Sequence, residues 1–187
     1  DLAGIKIFAT GGIGGVHKFA EKTFDISADL QELAKTGISV VCSGPKAILD
    51  IPKTLEFLET LGVPVITFGQ TYLPAFWSSD SPFISPLSLN DPCLIAKSHE
   101  IRKELGLSGG QLIANPISKK DQIPFEKMEP IIMDAVKSAN EQNIITKELT
   151  PFVLSRINEL TKGKSLLANI ALIKNNAKLA SQIALCF

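Results

Sequence analysis

The stretch IKIFATGGIGG, residues 5–15, decides which fold this sequence predicts. A short and mostly apolar run is followed at once by four glycines within residues 11–15. In α/β proteins, a buried strand that runs into glycines places a ligand-facing loop at the carboxyl end of the strand. The stretch therefore predicts a first strand over residues 5–9 and, directly after it, a loop at the edge of a sheet.

The glycine-rich loop has two interpretations. Its backbone N–H groups could cradle a phosphate, or its glycines serve a tight turn that needs positive φ angles. It is not a dinucleotide-binding fingerprint, because His17 stands where the third glycine would be. It is not a Walker A loop either, because no Gly-Lys-Ser/Thr follows at the required spacing. Both interpretations remain open on the sequence alone.

Strand and helix patterns alternate after this loop, which is typical of parallel βαβ units. We predict an α/β fold, with helices packed around a largely parallel β-sheet and a helical C-terminal region. A helix should follow Lys46 and restart at Asp50 and Pro52. Four prolines within residues 74–92 predict a long ordered surface loop. Further strands are predicted at residues 38–42, 63–68 and 110–114, and further helices at 27–35, 93–105, 126–143, 151–161 and 165–186.

Composition excludes several classes of protein. The 187 residues carry 19 Lys and Arg against 19 Asp and Glu, so a nucleic-acid partner or a polybasic membrane surface is not expected. No apolar run reaches the length of a membrane span. Cys42, Cys93 and Cys186 are odd in number and far apart, so we predict free thiols, no zinc site, no disulfide framework and a reducing, cytoplasmic setting.

Lys46 is a candidate nucleophile. It follows the second predicted strand after a Ser-Gly-Pro turn, at the edge where α/β folds bind ligands. The neutral amine of a lysine attacks carbonyl carbons. Most lysines, however, are solvated surface residues. The residue pattern leaves both roles open.

Three polar residues, Asp25, Ser27 and Asp29, flank the start of the helix predicted at residues 27–35. Such oxygens hold hard cations such as Mg²⁺ or Mn²⁺, or bind sugar hydroxyls. They are equally typical of a helix start, where Ser27 suits the N-cap and Asp29 suits the positive end of the helix dipole.

Two further polar residues, His17 and Asn169, are candidate ligand contacts. His17 could donate to a phosphate or a sugar, although a histidine in a polar loop is more often exposed. Asn169 interrupts the apolar run at residues 166–172. A buried asparagine must be hydrogen-bonded, so it should either pin its helix or reach a ligand.

Five motifs along the chain can be compared with known families: FATGGIGGVH (8–17), TFDISADLQEL (23–33), ANPI (114–117), KELTPF (147–152) and SLLANI (165–170). Together they closely resemble the pseudouridine-5′-phosphate glycosidase family. The resemblance covers essentially all 187 residues, and the first two motifs are long and unusual, which makes the match specific.

The resemblance implies an enzyme of nucleotide catabolism. Members of the family reversibly cleave the C–C glycosidic bond of pseudouridine 5′-phosphate to uracil and ribose 5-phosphate, as a glycosidase of hydrolase or lyase type. By resemblance, Lys46 is the nucleophile and forms a Schiff base with C1′ of the ring-opened ribose, and Asp25 helps to hold Mn²⁺. The implied substrate contacts are Thr10, His17, Ser27, Ala28, Asp29 and Asn169.

The chemistry explains why a lysine is wanted. Ordinary glycosidases use two carboxylates, one of which protonates a leaving oxygen. Here the leaving atom is a carbon of uracil, which protonation of an oxygen does not release. A nitrogen bonded to C1′ stabilises the positive charge left there as an iminium, and a positioned acid protonates the departing carbon.

The resemblance also implies that residues 1–187 form a single, N-terminally truncated glycosidase domain. Full-length members look like homotrimers, and their N-terminal part supplies a glutamate proton shuttle and a further substrate-binding lysine. Because neither is present, we expect this fragment alone to be weakly active or inactive. We also expect exposed strand edges to favour aggregation.

Two alternatives remain open. A sugar-phosphate- or nucleotide-binding remnant without chemistry would lack the upstream glutamate in its gene. An imine-forming, aldolase-like lyase acting on another sugar phosphate would keep Lys46 but would show no dependence on uracil.

Overall fold

A computed structural model describes residues 1–142, 144 and 148–187, except for the side chain of Asn140. Its strands are β1 (Ile7–Ala9), β2 (Ser39–Cys42), β3 (Val65–Phe68), β4 (Leu87–Leu89) and β5 (Gln111–Ala114). Its helices are α1 (Ala20–Thr23), α2 (Asp29–Lys35), α3 (Ile51–Thr60), α4 (Pro92–Glu104), α5 (Phe125–Glu141), α6 (Leu149–Leu160) and α7 (Lys164–Ala184).

The strands form one parallel sheet in the order β1-β2-β5-β3-β4. Crossovers between parallel strands are right-handed. The connections from β1 to β2, from β2 to β3 and from β3 to β4 all move in the same direction across the sheet. Right-handed crossovers therefore place α2 and α3 on the same face. The step from β4 to β5 runs back and therefore brings α4 to the opposite face. The predicted α/β class with a parallel sheet is confirmed.

Alternation along the strands divides the apolar side chains between the two faces. In β2, Cys42 packs with the α2 and α3 side, whereas Val41 packs with the α4 and α7 side. In β5, Leu112 and Ile113 divide in the same way. Both faces of the sheet are therefore covered, as parallel sheets require.

The C-terminal helices build a third apolar cluster at the carboxyl ends of the strands. Met128 of α5, Ile157 of α6 and Leu172 of α7 are fully buried there. They pack with Ile48 and Trp77, which lie in the segments that follow β2 and β3. The predicted helical C-terminal region is thus present and faces the edge where the functional loops lie. The predicted helix end at Asn143 lies outside the described residues.

The prediction of a surface loop over residues 74–92 is wrong in two respects. The segment contains the short strand β4, which pairs with β3, and its residues 75–79 are buried. The four prolines favoured a loop, and a strand of only three residues is too short to be recognised from the sequence. Trp77, which is 1% exposed, shows that this segment belongs to the core.

Helix starts also differ from the prediction. No helix follows Lys46 directly, because residues 46–49 form a turn and a bridge to the first loop. The restart is confirmed: the Asp50 side chain accepts a hydrogen bond from the Lys53 N–H, and Pro52 lies in the first turn of α3. Ser27 does not cap α2, whose N-cap is Ala28.

The cysteine prediction is wrong for two of the three residues. Cys93, in the first turn of α4, and Cys186, just after α7, form a disulfide across a sequence separation of 93 residues. Cys42 is a free, fully buried thiol, and burial raises its pKa to about 12. In the described part of the chain, no helix is long and apolar enough to cross a membrane.

A count of reactive thiols tests this pairing. In denaturant without a reductant, one thiol per chain should react with a thiol reagent, and after reduction three should react. In the native, unreduced protein Cys42 should not react, because it is buried and protonated. Three reactive thiols in the unreduced, denatured protein would rule out the disulfide.

Candidate functional site

A cleft of about 420 Å³ lies at the carboxyl ends of β1 and β2. It is lined by four of the predicted site residues, Thr10, Asp29, Lys46 and Asn169, together with Gly11, Gly12, Phe76, Leu172 and Ile173. The four come from different segments: the loops after β1 and β2, the first residue of α2, and α7. The structure thus brings together residues that are up to 159 positions apart in the sequence.

Lys46 is held by pairing between the two strand-end loops. Its backbone N–H donates to the Ile13 carbonyl at 3.0 Å. Just before it, Gly44 has a φ of +84°, and a Cβ there would lie 2.6 Å from the Pro74 carbonyl oxygen. The Lys46 side chain is partly buried. Among the described residues, no carboxylate lies within ion-pair distance of its ammonium group.

The glycine-rich loop uses several N–H groups internally. The Gly14 N–H donates to Asp29 Oδ2 at 2.7 Å, and the Ile13 N–H donates to the Gly44 carbonyl at 3.3 Å. A Cβ on Gly14 would overlap the Ser27 hydroxyl. Close packing therefore accounts for Gly14, and also for Gly12, where a Cβ would lie 2.6 Å from the Phe76 ring. Gly11 and Gly12 both line the cleft.

Asn176 joins the strand ends beneath the cleft. Its side chain on α7 is fully buried, and its Nδ2 donates to the carbonyls of Thr10 (2.8 Å) and Gly11 (3.3 Å) after β1. It also hydrogen-bonds the Ser43 hydroxyl after β2, and its Oδ1 accepts from Asn115 Nδ2 after β5 at 3.1 Å. Asn176 was not among the predicted site residues, although it interrupts the apolar face of α7 as Asn169 does.

Asn169 is bonded within the protein as well as facing the cleft. Its Oδ1 accepts a hydrogen bond of 2.6 Å from the indole N–H of Trp77. The sequence offered two roles, pinning the helix or reaching a ligand, and the geometry is compatible with both at once. Trp77 was missed because it lies in the segment predicted to be a surface loop.

His17 and Asp25 lie at a neighbouring cavity of about 720 Å³. His17 Nδ1 is 3.7 Å from Asp25 Oδ2, and the histidine is partly buried rather than exposed. Within the described residues, no group of three or more His, Cys, Asp or Glu side chains converges on a metal position. One carboxylate beside one imidazole fits a hard divalent cation that keeps water or substrate ligands.

Ser27 and Ala28 line neither of these two cavities. The Ser27 hydroxyl accepts a hydrogen bond from the Asp29 N–H at 3.3 Å, and its own N–H donates to the Gly15 carbonyl at 3.0 Å. Ala28 is exposed at the start of α2. Their geometry connects the glycine-rich loop to the helix that carries Asp29.

The fold and the cleft define a class: a parallel α/β protein with a partly buried lysine among polar groups at the strand ends. The chain belongs to the family of indigoidine synthase A like proteins, whose family model matches residues 1–186. This agrees with the resemblance inferred from the motifs, since the curated relatives below carry the name of the predicted family.

Two relatives illustrate the similarity. Pseudouridine-5′-phosphate glycosidase of Paracoccus denitrificans is 61% identical over 98% of this chain and 60% of its own length. The enzyme of the same name from Petrotoga mobilis is 54% identical over 98% of this chain and 60% of its own length. The chain thus spans about three-fifths of the length of these relatives.

Two solved structures share the fold. The prealnumycin C-glycosynthase AlnA, in complex with ribulose 5-phosphate, superposes with a TM-score of 0.92 and 31% identity over 99% of this chain and 61% of its own. An indigoidine synthase A-like protein from Thermotoga maritima gives a TM-score of 0.88 and 34% identity over 98% of this chain and 60% of its own.

Replacement of Asn176 by Ala should destabilise the fold. The change leaves two strand-end carbonyls and the Asn115 amide without their buried partner, which costs about 1–3 kcal/mol of unfolding free energy. Urea denaturation measures the loss, with Lys178→Ala, an exposed position on the same helix, as the matched control. Equal stability of the two variants would contradict the role of Asn176.

Proposed function

We propose that this chain carries the imine-forming half of a C–C-cleaving glycosidase that acts on pseudouridine 5′-phosphate. The observation that carries the proposal is the position of Lys46 in a cleft with Thr10, Asp29 and Asn169. A lysine at such a strand-end cleft, with no carboxylate paired to it among the described residues, is available to a carbonyl-bearing ligand.

The names of the relatives support the choice of reaction. The curated relatives are named for cleavage of pseudouridine 5′-phosphate. The structural neighbour AlnA is named as a C-glycosynthase and was crystallised with a pentulose phosphate. In both cases a sugar phosphate is associated with an enzyme that acts on a C-glycosidic bond. We propose that the substrate of this chain belongs to the same class, the C-glycosidic sugar phosphates.

The reaction can be written with the groups of this chain. The ribose ring opens at the C1′–O4′ bond, O4′ takes up a proton as a hydroxyl, and the Lys46 amine adds to C1′ and loses a proton. The bond between C1′ and the uracil carbon then breaks, its electron pair stays on the uracil carbon, and the nitrogen lone pair forms the C=N bond. A proton is delivered to that carbon, and an imine between Lys46 and C1′ remains. Water then hydrolyses the imine to ribose 5-phosphate and the free amine. Each step keeps the sugar attached to the protein until uracil has been formed.

The other cleft residues would bind and orient the sugar phosphate. The Thr10 hydroxyl and the Asn169 amide suit hydroxyl or phosphate oxygens. Gly11 adds backbone to the cleft wall, whereas the side-chain position of Gly12 is taken up by the Phe76 ring. Asp29 already accepts from the Gly14 N–H, so its second oxygen is the one available to a sugar hydroxyl. Ser27 and Ala28 would act by holding this helix start in place.

The proposed Mn²⁺ site is at Asp25, with His17 beside it. When bound there, a divalent cation would supply positive charge for substrate oxygens. We also propose that the full-length protein is a homotrimer and that residues 1–187 are one truncated domain within it. The Cys93–Cys186 disulfide removes the premise of three free thiols on which the expected reducing, cytoplasmic setting rested.

The proton delivered to uracil is assigned to a residue outside this sequence. The relatives are longer by about two-fifths of their length, and family resemblance puts a glutamate proton shuttle in their N-terminal part. Loss of a positioned acid typically lowers a rate by about 10²–10⁴-fold. We therefore expect the 187-residue chain alone to be weakly active or inactive.

Borohydride trapping tests the role of Lys46. With ribose 5-phosphate present, intact mass should show a stable sugar adduct on the full-length protein and none on its Lys46→Ala variant, because reduction fixes the imine. Lys97→Ala, at an exposed position on α4, is the matched control and should be labelled like the unaltered protein. An adduct that persists in Lys46→Ala would show that another amine is the nucleophile.

Measurements of turnover and uracil release on the same proteins, beside the trapping experiment, separate the alternatives. The 187-residue chain should regain turnover when the upstream segment is added in trans. Neither an adduct nor uracil release with the full-length protein would favour a binding remnant without chemistry. Turnover that does not depend on uracil would favour an aldolase-like lyase.

Replacement of Asp25 by Asn should weaken Mn²⁺ binding by at least about tenfold, because the charged ligand is lost. Calorimetric titration of the full-length protein with Mn²⁺ measures the change. Asp29→Asn serves as the contrast, since Asp29 lines the other cavity and should leave Mn²⁺ affinity nearly unchanged. The opposite order of effects would move the metal to the Lys46 cleft.

A further inference from the structure

We propose that Trp77 is a positioning residue that sets the orientation of the Asn169 side-chain amide, so that the amide NH₂ is the group presented to ligand oxygens in the Lys46 cleft. The inference rests on the proposed function, because it concerns how the same cleft recognises its sugar phosphate. Nothing in the motifs of the sequence points to Trp77, whose role emerges only from its contacts in the folded chain.

The hydrogen bond itself determines which end of the amide faces the indole. Trp77 Nε1 and Asn169 Oδ1 are 2.6 Å apart. An indole N–H can only donate, so the amide atom at this distance must be the oxygen. The usual ambiguity between the oxygen and nitrogen of an asparagine side chain is therefore removed. The Asn169 Nδ2, with its two N–H groups, is the end left for the cleft.

The tryptophan is rigidly held. Its side chain is 1% exposed, and its ring makes an edge-on contact with the Phe76 ring at 4.9 Å. Its carbonyl accepts from the Ile123 N–H at 2.9 Å, and the Phe76 N–H donates to the Ser43 carbonyl at 3.0 Å. The segment around Trp77 is thus tied both to the end of β2 and to the chain before α5.

The fixed orientation has a chemical consequence for recognition. Phosphate and hydroxyl oxygens accept hydrogen bonds from an NH₂ group, whereas an amide carbonyl turned toward a phosphate would repel it. Without the indole, the amide could rotate and would present the correct end only part of the time. Trp77 therefore lowers the cost of ordering Asn169 when a ligand binds.

Two observables test the proposal on the full-length protein. The first is the hydrogen bond itself. These 187 residues contain a single tryptophan, and the indole N–H signal in ¹H–¹⁵N NMR that disappears in Trp77→Phe reports on it. Asn169→Asp keeps an acceptor and should keep this proton protected from exchange with water, whereas Asn169→Ala should expose it. Equal protection in the two variants would overturn the assignment, whether or not the protein is active.

The second observable is a double-mutant cycle on ribose 5-phosphate affinity, measured by calorimetry. Trp77→Phe keeps an aromatic ring but loses the indole N–H donor. It should weaken ribose 5-phosphate binding about threefold to tenfold, as loss of a positioning hydrogen bond would. In the Asn169→Ala background the same change should have no effect. Asn169→Asp should bind worse than Asn169→Ala, because its carboxylate faces the phosphate.

The outcomes are separable. A Trp77→Phe effect of equal size in both backgrounds would overturn the proposal and show a role in packing alone. Asn169→Asp binding as well as the unaltered protein would also overturn it. Failure of the proposed function looks different: the unaltered protein would bind ribose 5-phosphate with the predicted coupling, yet borohydride would trap no adduct on Lys46.

Discussion

One buried asparagine side chain connects the carboxyl ends of three neighbouring strands to the longest helix. Asn176 bonds the backbone after β1, the Ser43 hydroxyl after β2 and the Asn115 amide after β5. Buried polar groups of this kind must all be satisfied, and a network that is complete is compatible with only one arrangement of its members. The positions of the strand ends, of α7 and of the loops between them therefore depend on each other.

The cleft owes its geometry to that dependence. The glycine-rich loop and the loop bearing Lys46 follow adjacent strands and are hydrogen-bonded to each other through the backbone of Ile13. Asn169 lies on the same helix as Asn176, about two turns before it. Catalytic groups mounted on elements that are locked in this way lose little freedom when a ligand binds. The polar network around Asn176 therefore stabilises the fold and also fixes the geometry of the cleft.

Sequence reasoning succeeded where a local pattern determines the result. Apolar runs that end in glycine or Ser-Gly-Pro predicted β1 and β2, and with them the edge at which Thr10 and Lys46 meet. It failed where the decisive fact is a long-range contact. Nothing near Cys93 or Cys186 indicates that two helix ends lie 5.1 Å apart between Cα atoms, and β4 is too short to produce an alternating pattern. The division of the candidate residues between two cavities is likewise a property of the folded chain alone.

The disulfide between α4 and α7 changes what chain cleavage means for this protein. It closes a covalent ring that contains nearly all of α4, together with β5, α5, α6 and α7. A protease that cuts the backbone once anywhere inside this ring opens it without releasing a fragment, and every element keeps its attachment to the sheet. Such a nicked molecule would migrate as an intact chain until a reductant was added. In this half of the sequence, a cut in the backbone therefore does not by itself separate any part of the fold from the rest.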